Sequence, residues 1–195
     1  TGSNLQNKRT RPEGFRKAQR GMRLVAKFKL PIVTFVDTPG PDLSQAAEQR
    51  GLGNAIAKTM ALMSNVEVPS LSIIIGEGGS GGALALGVTD RTLMLEHATY
   101  SAISPEEAAE VIYQDVGRAD EAAQSMKLTA HDCQDLGIID TIVPEPSGGA
   151  HRNPEEVARQ LRQLVVSELV NLQSKSTKIL MRDRYKKFRN IGEYS

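Results

Sequence analysis

The sequence predicts an α/β fold in which strands and helices alternate around one glycine-rich strand end. Three observations carry this reading. The runs Ile32-Val33-Thr34-Phe35-Val36 and Ile73-Ile74-Ile75 are rich in β-branched residues and free of charge, and read as buried strands, the first of them fully buried. The segments between and after them place apolar residues at helical spacing. Both strands run into loops built for close backbone approach, Asp37-Thr38-Pro39-Gly40-Pro41 and Gly76-Glu77-Gly78-Gly79-Ser80-Gly81-Gly82. Loops on the carboxyl edge of such a sheet are where ligands usually sit.

Taken in order, residues 12–29 form the first helix. Pro12 stands near its start, and Phe15, Ala18, Met22, Val25 and Ala26 make an apolar stripe. Leu30-Pro31 ends it, and the strand over 32–36 follows. Residues 44–65 read as one long helix through Ala46, Ala47, Leu52, Ile56, Ala57, Met60 and Met63, and Pro69 ends the link to the second strand. After the glycines come a helix to about Gly87, a short strand over 92–95 and an extended piece over 99–103. Pro105 opens a helix over 106–113. Helices over 119–126 and 129–136 follow, the second capped by Thr129 and ended by Gly137. A late strand covers 138–143, and Asn153-Pro154 opens the last long helix. About five strands are few for a closed domain of this kind. The first strands of the sheet are therefore expected from upstream residues or a partner chain, and the absence of an initiator methionine fits a segment of something longer.

The chain has 195 residues, enough for one domain spanning 1–195 with a sizeable core. Aromatic residues make up 4% and there is no tryptophan, so the core is aliphatic and no indole can stack a base or sugar. The single cysteine, Cys133, excludes an internal disulfide or a thiolate metal site and reads as a small buried hydrophobe, which suits a reducing compartment. No apolar run reaches membrane-spanning length, and Thr1-Gly2-Ser3-Asn4 lacks a signal-peptide pattern. The net charge of +1 hides an asymmetry. Lys8, Arg9, Arg11, Arg16, Lys17, Arg20, Arg23, Lys27 and Lys29 face one acid, Glu13, in the first thirty residues. Seven basic residues from Lys175 onward face only Asp183 and Glu193. Such ends serve as solvated helix faces, as anchors for a phosphorylated cofactor or as nucleic-acid patches; no aromatic residues interleave them as single-strand binding favours.

The glycine segment is the chemical focus. A strand that feeds a helix through bare backbone exposes unpaired N–H groups at the positive end of that helix, which suits an oxyanion, a phosphate or a carboxylate. Gly78-Gly79-Ser80-Gly81-Gly82 also satisfies the G-x-S-x-G form of a nucleophile elbow, for which His97 is the one plausible base among His97, His131 and His151. The match is weak, because four glycines around a serine satisfy the pattern almost by default. No Cys or His pair has metal-ligand spacing, so no metal is expected. The formal dinucleotide pattern Gly76-x-Gly78-x-x-Gly81 lacks the acidic residue about 20 positions on, and no Walker lysine follows. What remains is a backbone anion hole without an evident side-chain base.

Six motifs in order resemble the carboxyltransferase α subunit of multi-subunit acetyl-CoA carboxylase. They are Pro12-Glu13-Gly14-Phe15-Arg16-Lys17-Ala18, Asp37-Thr38-Pro39-Gly40, Glu48-Gln49-Arg50-Gly51, 75–83 around the glycines, Tyr100-Ser101-Ala102-Ile103-Ser104-Pro105-Glu106, and 142–152 ending in Gly148-Gly149-Ala150-His151-Arg152. The resemblance implies a crotonase-like fold of stacked ββα turns, here lacking its first strands. It implies transfer of a carboxyl group from carboxybiotin, borne on a separate biotin carboxyl carrier protein, to acetyl-CoA, forming malonyl-CoA for fatty-acid synthesis. It implies backbone amides of Gly78, Gly79, Gly81 and Gly82, with Gly40 from the companion loop, as the oxyanion hole, and Gly78, Gly79, Ser80 and Gly81 as the carboxybiotin contact. Biotin itself can then take the methyl proton, so no enzyme base is required. A carboxyltransferase β subunit and biotin carboxylase are the implied partners in an α2β2-type assembly, in the cytoplasm or, in a plant or alga, the plastid stroma. Leu84 stands where enoyl-CoA hydratases of this fold carry a glutamate. The sequence departs from the family at Pro41-Asp42-Leu43-Ser44-Gln45; proline has no N–H, so a donor expected at 41 is lost. A related acyl-CoA carboxyltransferase, a degenerate scaffold subunit and a serine hydrolase of Clp-like fold are the alternative readings.

Overall fold

A computed structural model describes residues 9–192; the start Thr1-Gly2-Ser3-Asn4, Lys8 and Glu193 lie outside them. Pro12 opens helix α1 (Pro12–Lys27), where the missing N–H costs nothing. Phe15, Gln19 and Met22 form its buried side. Arg16, Lys17, Arg20, Arg23 and Lys27 are exposed, so this basic run is a solvated helix face. The helix stops short of Lys29, which takes a left-handed φ of 55° before Pro31.

The sheet comprises β1 (Ile32–Thr38), β2 (Ser70–Gly79), β3 (Arg91–Leu95), β4 (Thr99–Ser101) and β5 (Thr141–Val143). All pairings are parallel, in the order β1-β2-β3-β5, with β4 also paired to β2. β2 serves two neighbours on one side by length: residues 71–74 pair with β3 and residues 77–79 with β4. Ser70 through Ile74 are all buried, which requires cover on both faces. β1 does not match the expectation of full burial. Val36 and Thr38 face inward, while Phe35 is 57% exposed and Asp37 is open, because β1 is an edge strand among the described strands and the face that carries Phe35 and Asp37 is left uncovered there.

The helix expected over 44–65 is two helices, α2 (Gln45–Gln49) and α3 (Leu52–Asn65). Gly51, with φ of 74°, turns the chain left-handed between them, and the Arg16 guanidinium donates to the Arg50 carbonyl freed by the break. A larger difference lies at the glycines. There is no separate turn: β2 continues through Gly76-Glu77-Gly78-Gly79, and α4 (Ser80–Gly87) starts at the next residue. Helices α5 (Pro105–Tyr113), α6 (Ala119–Met126) and α7 (Ala130–Asp135) stand as read, α5 closed by a Ser104–Glu107 capping box and α7 by Thr129. β5 is shorter than 138–143 because the Ile138 and Ile139 amides donate back to the Cys133 carbonyl and close α7. Asn153 caps α8 (Pro154–Gln173), accepting from the Glu156 amide at 3.2 Å.

The main core joins Leu71, Ile73 and Ile74 of β2 to Leu93, Met94 and Val143, with Leu161, Val165 and Leu169 of α8 against it. Cys133 sits in this core, and burial pushes its thiol up to about 11, so it is an inert hydrophobe. On the other side, α4 packs on β1 and β2, α3 on α4, and α1 on α3. The sequence reading did not separate a last helix, α9 (Thr177–Arg189), from the basic C-terminal run. Two of its charges are not solvated. Arg184 is 2% exposed, pairs twice with Asp90 at 2.9 Å and donates to the carbonyls of Met63, Val66 and Val68. Lys187 pairs with Asp140 and donates to Thr92 Oγ1 at 3.0 Å. Burial alone pushes the Asp140 carboxyl up, but Lys187, the Thr92 amide and Arg91 together hold it below the ordinary carboxylate range.

Candidate active site

The two strand-end segments singled out in the sequence meet. Pro39 and Gly40 lie against Gly79, Ser80 and Gly82: a methyl group at Gly79 would overlap the Pro39 carbonyl, and one at Gly82 would lie 3.0 Å from the Gly40 carbonyl carbon. Gly78 is packed as tightly, with the Thr99 carbonyl and the Tyr100 ring both 3.0 Å from where a methyl would stand. Gly40, Gly78, Gly79 and Gly82 are buried, while Ser80 and Gly81 are half-buried. These four glycines thus have a reason to be glycine that lies within the chain: close approach of neighbouring atoms at Gly78, Gly79 and Gly82, and a φ of 130° at Gly40. Gly79→Ala is expected to cost about 3 kcal/mol, the upper end for overpacking against atoms that cannot move aside. Gly21→Ala on α1, where nothing lies within 4 Å, is expected instead to stabilise by about 0.5–1 kcal/mol. Urea unfolding of the two variants checks the pair.

Donor accounting divides the two loops. The Gly40 amide donates to Thr38 Oγ1 at 3.2 Å, and the Thr38 hydroxyl donates back to the Gly40 carbonyl at 3.0 Å. Gly40, at φ of 130°, therefore spends its N–H within the loop. Pro41 is buried and forms a parallel bridge with Thr10. That bridge uses the Thr10 amide on the Gly40 carbonyl and the Asp42 amide on the Thr10 carbonyl, so it needs no N–H from position 41. Asp42 accepts from the Ser44 amide at 3.0 Å and pairs with Arg11 at 3.5 Å, and these bonds, the Ser44 amide first, hold its carboxyl below the usual range. The departure at 41–45 is thus a locally satisfied turn. The first turn of α4 differs: its N-cap, Gly79, has no side chain to cap it, and the N–H groups of a first turn have no intrahelical partner. Ser80 holds a left-handed φ of 55° at this strand-to-helix junction.

A family model described as acetyl co-enzyme A carboxylase carboxyltransferase-like matches residues 4–192. The chain belongs to this carboxyltransferase family. The acetyl-coenzyme A carboxylase carboxyl transferase subunit alpha of Heliobacterium modesticaldum is 54% identical over 181 residues, covering 93% of this chain and 54% of that protein. The same subunit of Shouchella clausii is 52% identical over 181 residues, covering 93% and 56%. The chain spans about half the length of the curated relatives it matches. Among solved structures, transcarboxylase 12S, with methylmalonyl-coenzyme A and methylmalonic acid bound, superposes with a TM-score of 0.73 at 21% identity, covering 86% of this chain and 32% of that one. A Pseudomonas malonate decarboxylase hetero-tetramer in complex with coenzyme A gives 0.72 at 16% identity, covering 88% and 69%. At such identities the likeness is one of fold, and the fold is crotonase-like, as the resemblance implied.

Two cavities flank the glycine strand end of this carboxyltransferase chain. One, of about 340 Å³, is lined by Ser80 and Gly81, the Leu84 side of α4, Tyr100, Ile138 and, from α9 and just beyond it, Phe188 and Ile191. The other, of about 510 Å³, is lined by Gly76, His97, Glu145, Gly149 and His151. Sequence reasoning missed the second grouping, whose members are scattered along the chain. Its signal is positional, since Gly76 lies in a parallel strand and His97 and Glu145 each stand two residues past the end of one. Glu145 is its organiser. With its side chain 5% exposed, it accepts from the His97 amide at 3.0 Å and the Ala150 amide at 2.6 Å, and stands 3.5 Å from His97 Nδ1. Burial pushes its carboxyl up, and those donors outweigh burial and hold it low. His97 therefore belongs to a different cavity from Ser80, and no histidine lines the cavity that Ser80 lines. The strand-to-helix serine has the backbone of an elbow without its base.

Proposed function

We propose that this chain acts in the carboxyltransferase component of acetyl-CoA carboxylase, moving a carboxyl group from carboxybiotin to acetyl-CoA to give malonyl-CoA for fatty-acid synthesis. The observation that carries the reading is the uncapped first turn of α4, open at Ser80 and Gly81 beside an apolar cavity, in a chain of this family. Those residues fit the group: amides at one end for a ureido oxygen, and apolar walls for the rest. When bound, carboxybiotin supplies the transferable carboxyl. The chain's own part is to hold the ureido oxygen on the Ser80 and Gly81 amides while negative charge develops there. A preorganised donor of this kind contributes about 2.7–4 kcal/mol. Gly78, Gly79 and Gly82, with Gly40, act by letting the strand end, the 39–41 loop and α4 approach closely enough to aim that turn. No side-chain base is assigned, which agrees with the absence of a histidine from this cavity.

The β subunit, the biotin carboxyl carrier protein and biotin carboxylase are the partners this reading requires, in an α2β2-type assembly within the cytoplasm or the plastid stroma. β1 pairs with β2 alone among the described strands, and its free edge is where further strands, from upstream sequence or a partner, would add. No helix among the described residues is long and apolar enough to cross a membrane. The test is reconstitution of the full-length protein with its β partner and carboxylated carrier, assaying acetyl-, propionyl- and longer acyl-CoA. Malonyl-CoA formation with acetyl-CoA preferred is the expected result. Preference for a longer acyl-CoA would move the reading to a related carboxyltransferase, and no transfer to any of them would leave a scaffold subunit.

A further inference from the structure

We infer that the junction of α1 and α3 holds a binding site for a phosphate group that carries an O–H donor, either inorganic phosphate itself or a phosphate ester with a hydroxyl beside it. The site stands apart from the reading above, since it uses no residue of α4 or of the 39–41 loop. A cavity of about 240 Å³ opens between the two helices, lined by Arg16 and Gln19 of α1, by Gly51, and by Asn54, Ala55 and Lys58 of α3. Drug-sized sites measure about 300–1,000 Å³, so this one suits an ion or a small ester. Two of its lining residues are cations and none is an acid. The side chains of Lys58 and Asn54 have no hydrogen-bond or ion-pair partner among the described residues. Arg16 donates to the Arg50 carbonyl, and a guanidinium has five N–H groups, so most of its donors remain for a ligand. Helix α3 starts behind Gly51, which offers no side-chain cap, and its first turn has no acidic residue. The amides of Leu52, Gly53 and Asn54 therefore have no partner within the helix, at its positive end.

Cations and a helix start would suit any anion, and Gln19 narrows the choice. It is 5% exposed, and its amide nitrogen is held inside by the Ala55 carbonyl and Thr59 Oγ1, both at 3.0 Å. An amide is planar, so a nitrogen fixed on α3 turns the oxygen the other way. Gln19 Oε1 has no donor among the described residues, yet it is not shut in as Gln160 Oε1 and Glu168 Oε2 are, so it opens onto the cavity that Gln19 lines. A side chain buried to this degree normally has every polar atom paired, and an acceptor can be paired only by a ligand that brings a hydrogen. Hydrogen phosphate does so. Its O–H serves Gln19 Oε1, and its charged oxygens serve Arg16, Lys58 and the first-turn amides, the combination that holds phosphate at helix starts.

Titration calorimetry of the full-length protein at low ionic strength tests this with inorganic phosphate, glycerol 3-phosphate and sulfate. Phosphate is expected to bind with a Kd on the order of 1 mM or tighter. Sulfate, which matches its charge and shape but has no O–H at neutral pH, should bind about tenfold more weakly. Lys58→Gln and Asn54→Glu should each weaken phosphate binding about tenfold or more. The first removes a charge-assisted donor; the second sets a carboxylate in the cavity while favouring the start of α3, so the fold is kept. Arg23→Gln, two turns along α1 from Arg16 and outside the cavity, should leave binding unchanged. Tighter binding of the ester than of phosphate identifies a phosphorylated metabolite as the occupant and the reverse order the free ion, and either supports the site. No binding of phosphate or ester at about 10 mM overturns it. Sulfate bound as tightly as phosphate, or an equal loss in Arg23→Gln and Lys58→Gln, reduces the site to a charged surface and also overturns it. Phosphate binding lost in Gly81→Pro but kept in Lys58→Gln would place the anion on α4 and contradict it as well.

Discussion

Arg184→Met is expected to destabilise the protein by about 3–5 kcal/mol, the range for removing one partner of a buried ion pair. The guanidinium is 2% exposed and Asp90 4%, so water cannot replace what is lost. Asp90 would keep the Ser70 amide and hydroxyl, at 2.7 and 2.8 Å, but lose both guanidinium bonds. The carbonyls of Met63, Val66 and Val68, at and just beyond the end of α3, would lose their donor at the same time. For a chain of this size the thermal midpoint should fall by about 10 °C. Arg182→Met is the control, because Arg182 is 58% exposed and pairs with its exposed neighbour Asp183 on the solvent side, where pairs contribute about 0–1 kcal/mol. Equal shifts in the two variants would contradict the role given to Arg184 as the tie between α9, α3 and the start of β3.

Arg184 also shows where the sequence stops being informative. Periodicity and capping residues located α1, α5, α6, α7 and the start of α8, because their signals are local: Pro12, Pro105, Thr129 and Asn153 each act within one turn. The run 177–189 gave no such signal. Its buried side consists of Leu180 and Arg184, and a charged residue counts as surface until its partner 94 positions away is known. The break at Gly51 was hidden for the opposite reason, since a glycine within an apolar period reads as a tolerated interruption until its left-handed φ is seen. At the site, the glycine segment and the 37–41 loop were legible as strand-end partners. Which amides stay open was not. Gly40 proved to be bonded by Thr38, and burial of Gly78, Gly79 and Gly82 depends on how closely two loops distant in sequence approach. The grouping of His97, Glu145 and His151 likewise exists only once the sheet order is known.

The second large effect is on turnover. Gly81 is the second residue of α4, where an N–H has no partner in the helix, so proline there removes one donor without breaking a helical hydrogen bond. Gly81→Ala keeps that N–H, and its methyl would lie 3.4 Å from Ile56 Cγ2, an ordinary contact. Alanine is therefore expected to leave turnover within a few-fold of wild type. Proline is expected to lower it about 10²–10³-fold, the loss that follows removal of one oxyanion donor. The comparison requires that both variants assemble with the β partner and unfold at similar temperatures. Under that condition the kcat for carboxyl transfer, measured side by side for wild type, Gly81→Ala and Gly81→Pro, tests the central claim most directly. Near-normal turnover in alanine with a hundredfold or greater loss in proline is the predicted result; wild-type turnover in proline, or an equal loss in both, would contradict it.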